Sequence, residues 1–251
     1  MTTGSSGQLL IGQRLWAGIM IVPMRARLLR LISILSMMAI SATGAVAANP
    51  PIPAAKMDAS IANHAGKEKA VFAGGCFWGT QSVFERVKGV TMTAAGYAGG
   101  SAATATYDQV TTETTGHAES VEVTYDPSKI TYGQLLRIFF SVAHDPTQLN
   151  RQGPDVGTSY RSAIFYTSEE QRNIASAYIE QLNQARVFPK PIVTQLTPLK
   201  GFYRAEDYHQ DYALNHPDNP YIQFCDRPKI QALKQQFPEY FVDYKGSKTS
   251  K

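Results

Sequence analysis

Lys69–Val87 reads KAVFAGGCFWGTQSVFERV, and the two glycines ahead of Cys76 divide it into a strand and a helix. Lys69–Ala73 is a short apolar run of strand length. Phe77–Val87 follows as a helix, with Val83, Phe84 and Val87 on one side. Gly74 and Gly75 permit a sharp turn and bring no side chains to block a ligand. Cys76 then stands at the start of a helix, where unpaired backbone N–H groups and the helix dipole favour an anion. That position predicts a lowered thiol pKa and a reactive cysteine.

Further strands and helices follow outward from this turn. Thr91–Tyr97 reads as a second strand. Glu119–Tyr125 alternates cleanly, with Glu119, Val121, Val123 and Tyr125 on one face and Glu122 on the other. Thr131 and Gln134 can form a capping box for a helix through Leu135, Leu136, Phe139 and Phe140. Tyr160–Tyr166 is a strand. Ser168 and Gln171 give a second capping box, opening a helix with Ile174, Tyr178 and Leu182 at four-residue spacing. Val193–Thr197 suits an edge strand. The order β-α-β-β-α-β-α-β predicts an α+β fold, a ferredoxin-like split-βαβ two-layer sandwich with a loop-rich C-terminal tail. One domain, residues 68–241, accounts for it. Residues 48–67 are rich in Pro and Ala, then polar, and read as a linker with no clear core face. Residues 242–251 form a polar, lysine-rich tail expected to fray.

The chain has 251 residues, of which 43% are apolar, enough for a globular core. Its formal charge of +4 hints at nucleic acid or an anionic membrane. Residues 1–47, however, hold Arg14, Arg25, Arg27 and Arg30 and no acid, so they carry the whole excess. The remainder is near neutral, and nucleic acid is not an expected partner. Residues 24–48 have the pattern of a secretory signal. Arg25, Arg27 and Arg30 form its positive region, Leu31–Ile40 its apolar run, and Ala45-Val46-Ala47 its cleavage site. The expectation is a signal peptide over residues 1–47, with Met24 a possible true start, and an exported, periplasmic protein. An uncleaved signal acting as a membrane anchor is the alternative. In an oxidising compartment Cys76 and Cys225 read either as a structural staple or as a redox pair.

Gly75-Cys76-Phe77-Trp78-Gly79 resembles the signature of the methionine sulfoxide reductase A family, and further stretches match the family in order. They are Ala94-Ala95-Gly96-Tyr97-Ala98-Gly99-Gly100, Thr106-Tyr107, Thr115-Gly116-His117-Ala118-Glu119, His144-Asp145-Pro146, Gly157-Thr158-Ser159-Tyr160-Arg161-Ser162 and Ala205-Glu206-Asp207-Tyr208-His209-Gln210. The resemblance covers Lys69 to Pro228. It implies thiol-dependent reduction of methionine S-sulfoxide, free or in oxidised proteins and peptides, back to methionine. Cys76 is then the nucleophile, and Glu119 the acid that protonates the departing oxygen; its parity puts it on the apolar face, where burial raises a carboxyl pKa. Tyr107 and Tyr160 match hydroxyl donors to the sulfoxide oxygen. Asp155 matches a second acid that binds a water or orders the tyrosines. Phe77 and Trp78, with Gly75 beside them, fit a substrate slot for the S-methyl group. Attack leaves Cys76 as a sulfenic acid, and the resemblance implies its resolution by Cys225 as a Cys76–Cys225 disulfide. With one C-terminal cysteine, that disulfide needs an external thioredoxin-like reductant. His117, His144 and His209 are not spaced as metal ligands, no cofactor is implied, and the chain is expected to be a monomer. Two readings of other classes compete. One is a cysteine hydrolase pairing Cys76 with His117 or His209. The other is an exported binding module stapled by the two cysteines.

Overall fold

The computed structural model describes residues 52–246. The expected signal segment lies outside the described residues, as do positions 48–51 and 247–251. β1 (Glu68–Gly74) alternates across the sheet: Ala70 and Phe72 enter the main core, Val71 and Ala73 a small cluster on the opposite face. α1 (Phe77–Phe84) starts directly after Cys76 and packs Phe77, Val83 and Phe84 into the main core. β2 (Val90–Ala98), the short α2 (Tyr107–Val110) and β3 (Ala118–Tyr125) come next. α3 (Tyr132–Ile138) opens on the expected capping box: the Thr131 hydroxyl accepts from Gln134 N–H at 3.2 Å, and Gln134 Oε1 accepts from Thr131 N–H at 2.9 Å. Its last turns are a π-turn, Phe139–Ala143. Two-residue strands β4 (Arg151–Gln152) and β5 (Asp155–Val156) make a hairpin ahead of β6 (Ser162–Tyr166). α4 (Glu169–Gln184), β7 (Gln195–Pro198), β8 (Phe202–Arg204), α5 (Tyr212–Asn215) and α6 (Arg227–Gln236) complete the domain.

The sheet has six strands in the order β7-β6-β1-β3-β2-β8. Its centre, β6-β1-β3-β2, is antiparallel throughout, and β3 separates β1 from β2. That is the split-βαβ arrangement, and it puts α1, α3 and α4 on one face. Phe72 fixes the helix layer to the sheet, stacking on Phe84 at 5.1 Å and on Phe139 at 4.9 Å between ring centroids. β7 joins β6 in parallel at one edge and β8 joins β2 antiparallel at the other.

Several local expectations are corrected. Tyr160 belongs to a 3-10 turn, Thr158–Tyr160, rather than to β6. The second capping box is half formed: Ser168 accepts from Gln171 N–H, but Gln171 Oε1 turns to Thr167 N–H at 3.1 Å. β8 is three residues long, too short to carry a period of its own. The C-terminal region holds a π-turn, Ile222–Asp226, running into the ten-residue α6. Pro228 stands in the first turn of α6, where it removes no helical hydrogen bond.

The segment read as a linker is tied to the domain from Ile52 onward. Ile52 is 1% exposed and part of the main core. Its carbonyl accepts from Arg137 Nε at 2.8 Å, and the Pro53 carbonyl accepts from the Tyr178 hydroxyl at 2.6 Å. Asp58 accepts from Gly133 N–H at 2.7 Å and from the Thr131 hydroxyl, supplementing the α3 cap with a carboxylate where the helix dipole favours one. One isolated apolar residue in a proline-rich stretch has no period to betray it. The tail is likewise held at its start, where Val242 N–H donates to the Arg86 carbonyl at 3.0 Å. Ile52→Ala is therefore expected to lower unfolding free energy by about 2–5 kcal/mol in urea titration; a linker residue would change it by less than about 0.5 kcal/mol.

Candidate active site

β1 delivers the chain to Gly75, whose φ of +87° is a backbone conformation glycine adopts freely. A side chain there would also meet Gln152, which lies over the turn and is fixed by Asp145 N–H donating to its Oε1 at 3.1 Å. Gly75 is thus covered by protein. Cys76 is the N-cap residue of α1 and is 8% exposed. The next backbone N–H, of Phe77, donates at 2.9 Å to Glu119 Oε2. Glu119 sits on the helix-covered face of β3, 3% exposed, opposite Tyr97 in the β2 register. Burial is the main cause that pushes its carboxyl up to about 8; Asp155 and Glu113 add to this, while the Phe77 N–H opposes it. Glu119 therefore holds its proton at neutral pH.

The expected lowering of the Cys76 pKa is corrected. Burial pushes the thiol well above its ordinary value, with the Glu119 and Asp226 carboxylates adding to the effect. The Trp78 backbone N–H and Lys229 act in the favourable direction but do not win. A helix terminus stabilises a thiolate by a fraction of what full desolvation costs it. The resting site thus pairs a protonated thiol with a protonated carboxyl.

Tyr107 and Tyr160 both face this pair. Burial raises each phenol, followed by the charges of Glu119 and Cys76, so both stay protonated donors. Tyr107 begins α2, and its N–H donates to Glu206 Oε1 at 2.9 Å while the Tyr97 hydroxyl donates to Glu206 Oε2 at 2.9 Å. The turn carrying Tyr160 is clamped by Glu113, which accepts from Ser159 N–H at 2.8 Å and from the Ser159 hydroxyl at 2.6 Å. Arg161 ties the same turn to the carbonyls of Gly116 and His117, at 2.9 and 3.0 Å.

Asp155, on β5, accepts from the Tyr221 hydroxyl. It orders a tyrosine, but a third one beyond the two expected. Burial and the nearby Cys76 charge raise Tyr221, which places it at the same thiol. Phe77 is 1% exposed and wedged against Tyr97 and His209. Trp78 is half-buried, stacked on Tyr212 at 3.7 Å and edge-on to Tyr221 at 6.0 Å. Of the two, Trp78 is the aromatic wall with surface left for a ligand.

Cys225 lies in the π-turn before α6, half-buried, and both cysteines are free thiols. That π-turn packs against α1. A cavity of about 300 Å³ opens beside Cys225, between the Tyr221–Lys229 stretch and the β4–β5 hairpin.

The histidines are committed elsewhere. His117 Nδ1 accepts from Gly100 N–H at 3.2 Å, so its Nε2–H donates to the Ser101 carbonyl at 2.9 Å. His209 Nδ1 accepts from the Trp78 indole at 3.2 Å, and its ring packs on Tyr107 at 4.6 Å. His144 bonds the Phe139 carbonyl and the Ser162 hydroxyl, and burial pushes it down to about 3. A hydrolase dyad needs an imidazole bonded to Cys76, and among the described residues no hydrogen bond joins His117 or His209 to that thiol.

Sequence reasoning missed three supports, Tyr221, Glu113 and Glu206, and named His209 only as a dyad candidate rather than as the partner of the Trp78 indole. Glu206 lies in a matched stretch and could have been singled out there. Glu113 adopts φ +64°, which its sequence context does not announce.

Residues 68–240 match the family model described as peptide methionine sulfoxide reductase. A peptide methionine sulfoxide reductase MsrA 2 of Mesorhizobium japonicum is 57% identical over 71% of this chain and 91% of its own length. One of the same name from Synechocystis is 52% identical over 69% of this chain and 81% of its own. Among solved structures, methionine sulfoxide reductase A of Corynebacterium diphtheriae aligns with a TM-score of 0.52 at 36% identity, covering 66% of this chain and 82% of that one. Reduced Mxr1 of Saccharomyces cerevisiae gives 0.55 at 32%, covering 63% and 94%. With the family model matched over residues 68–240 and relatives more than half identical across most of their own length, this chain belongs to the peptide methionine sulfoxide reductase family, reducing methionine sulfoxide through thiol chemistry.

Proposed function

We propose that Cys76 is the nucleophile, that the S-epimer of methionine sulfoxide is the substrate, and that Cys225 resolves the intermediate. The observation that carries this reading is the buried Glu119 carboxyl on the first N–H after Cys76. The sulfoxide oxygen is a strong acceptor, and Glu119, Tyr107 and Tyr160 supply protonated donors for it. As the Cys76 sulfur attacks, oxygen passes from the methionine sulfur to Cys76. The methionine sulfur is reduced by two electrons and Cys76 is oxidised to a sulfenic acid. Glu119 gives its proton to the oxygen and takes the thiol's proton, so the carboxyl ends as it began. Coupling the two transfers avoids a free thiolate in a site that disfavours one. Trp78 offers the methyl group an apolar wall, and Tyr221, held by Asp155, closes the side nearest Cys225.

Cys225 then displaces water from the sulfenic acid and forms a Cys76–Cys225 disulfide. With no further cysteine in the chain, a thioredoxin-like dithiol acts on that disulfide directly. We also propose export to the periplasm, on the n-region, apolar run and cleavage pattern of residues 24–48.

Cys76→Ser should abolish reduction. Cys225→Ser should release about one equivalent of methionine per protein and then stall with a thioredoxin system, a sulfenic acid accumulating on Cys76. Methionine formation in single turnover should fall as pH rises through about 8, as Glu119 loses its proton. Glu119→Gln should lower the rate by about 10²–10⁴-fold and remove that limb. The carboxyl's raised pKa also lowers stability progressively between its unfolded value near 4.5 and about 8. Glu119→Gln should therefore gain thermal stability relative to the wild type at pH 9 more than at pH 5. N-terminal sequencing of protein recovered from a bacterial periplasm should begin near Ala48; a chain retained with its first residues intact would overturn export.

A further inference from the structure

Gly79 closes the Gly-Cys-Phe-Trp-Gly stretch, and no backbone reason requires glycine there, in the first turn of α1. The reason lies across the interface. A side chain at Gly79 would occupy the space held by Asp226 Oδ1 and Lys229 Nζ. Asp226 is fully buried, and Lys229 Nζ donates to its Oδ1 at 3.2 Å with 17% of the lysine side chain exposed. Asp226 Oδ2 has no hydrogen-bond partner among the described residues. This pair lies outside the carboxyl–tyrosine cluster around Glu119, and Asp226, although it is the N-cap residue of α6, makes no side-chain cap bond. Breaking a buried pair is strongly destabilising, but apolar residues of similar volume usually serve stability as well, so stability does not explain its presence.

Its position does. Asp226 follows Cys225 directly, and Lys229 lies one helical turn beyond it. Gly79 is likewise nearly one turn after Cys76 on α1. The pair therefore lies between the segments that carry the two sulfurs. Lys229 and Cys225 line the same cavity, which His144, Asp145 and Tyr221 also line, with Asp155 behind Tyr221. Lys229 is the one cation among the described residues of that lining.

We propose that Lys229, seated against Gly79 by its bond to Asp226, is the positioning residue that stabilises the Cys225 thiolate for attack on the oxidised Cys76. The proposal rests on the reading of Cys225 as the resolving thiol. In that step the Cys225 sulfur bonds to the Cys76 sulfur, the Cys76 S–O bond breaks, and the oxygen leaves as water with the proton from the Cys225 thiol. Cys225 is oxidised and Cys76 reduced by one level each, so no outside reductant enters. Burial and Asp226 push the Cys225 thiol up, and Lys229 is the group that lowers it; Asp155 acts with Asp226. The same two charges act on Cys76 in the same directions, beside Glu119.

The test uses the reduced full-length protein, one equivalent of a methionine S-sulfoxide peptide, and rapid quenching. Methionine release, free thiols and dimedone-reactive sulfenic acid are followed across pH. Lys229→Met keeps the stem and removes the charge. Removing the charge raises the Cys225 pKa and cuts its thiolate fraction by more than the accompanying gain in thiolate nucleophilicity restores, so disulfide formation should slow at neutral pH. Methionine release should slow less, and alkaline pH should restore disulfide formation. Asp226→Asn keeps the shape and should move the pH midpoint the opposite way, to lower pH. Opposite shifts cannot come from a structural role, since both variants break the same buried pair. If both slow the step alike, or alkaline pH restores nothing in Lys229→Met, Lys229 has no such role. Cys225→Ser separates the two claims: if it forms no lasting sulfenic acid, the resolving role of Cys225 itself is wrong.

Discussion

One buried hydrogen bond, from the Phe77 N–H to the Glu119 carboxyl, joins the helix that bears the nucleophile to the central strand of the sheet. It satisfies one of the orphan N–H groups at the start of α1, a group that burial would otherwise leave unpaired. It also fixes the acid next to the sulfur. A second strand, β1, must enter from the far side of β3 and turn within Gly74-Gly75 for this geometry to exist. The split-βαβ topology is what brings β1 and β3 side by side while α1 folds back over both.

Around that bond the site is built from donors that keep their protons. Desolvation raises Glu119, Tyr107, Tyr160 and the Cys76 thiol together. An aqueous thiol nucleophile works by being a thiolate at rest. Here the apolar surroundings make the neutral state the stable one, and charge develops only when the polar sulfoxide arrives to accept it. Burial that looks unfavourable for the nucleophile is the same burial that keeps the acid protonated.

The supporting groups act at a distance from the chemistry yet determine its geometry. Glu206 bonds both Tyr97 and Tyr107, Glu113 and Arg161 pin the turn of Tyr160, and His209 holds the Trp78 indole. Glu206 ties a loop to β2 and α2, His209 ties its 3-10 turn to α1, and Glu113 and Arg161 tie the turn of Tyr160 to the loop ahead of β3. The Asp155–Tyr221 bond links the β4–β5 hairpin to the stretch that carries Cys225.

The sequence by itself determined the order of strands and helices around Cys76, because period-two and period-3.6 patterns are local properties of the chain. It also determined that Glu119 shares a face with Val121 and Val123, since strand parity follows from spacing alone. Capping at Thr131 was equally local. What only the tertiary structure decided were quantities set by neighbours distant in the chain. The sign of the Cys76 pKa shift depends on desolvation first and then on Glu119 and Asp226, which together outweigh a helix terminus that sequence can see. The role of Ile52 depends on α3 and α4, and the partner of Asp155 is Tyr221, far along the chain. The three-residue β8 and the proline-started α6 were illegible for the same reason: each is held by the partner it packs on rather than by a pattern of its own.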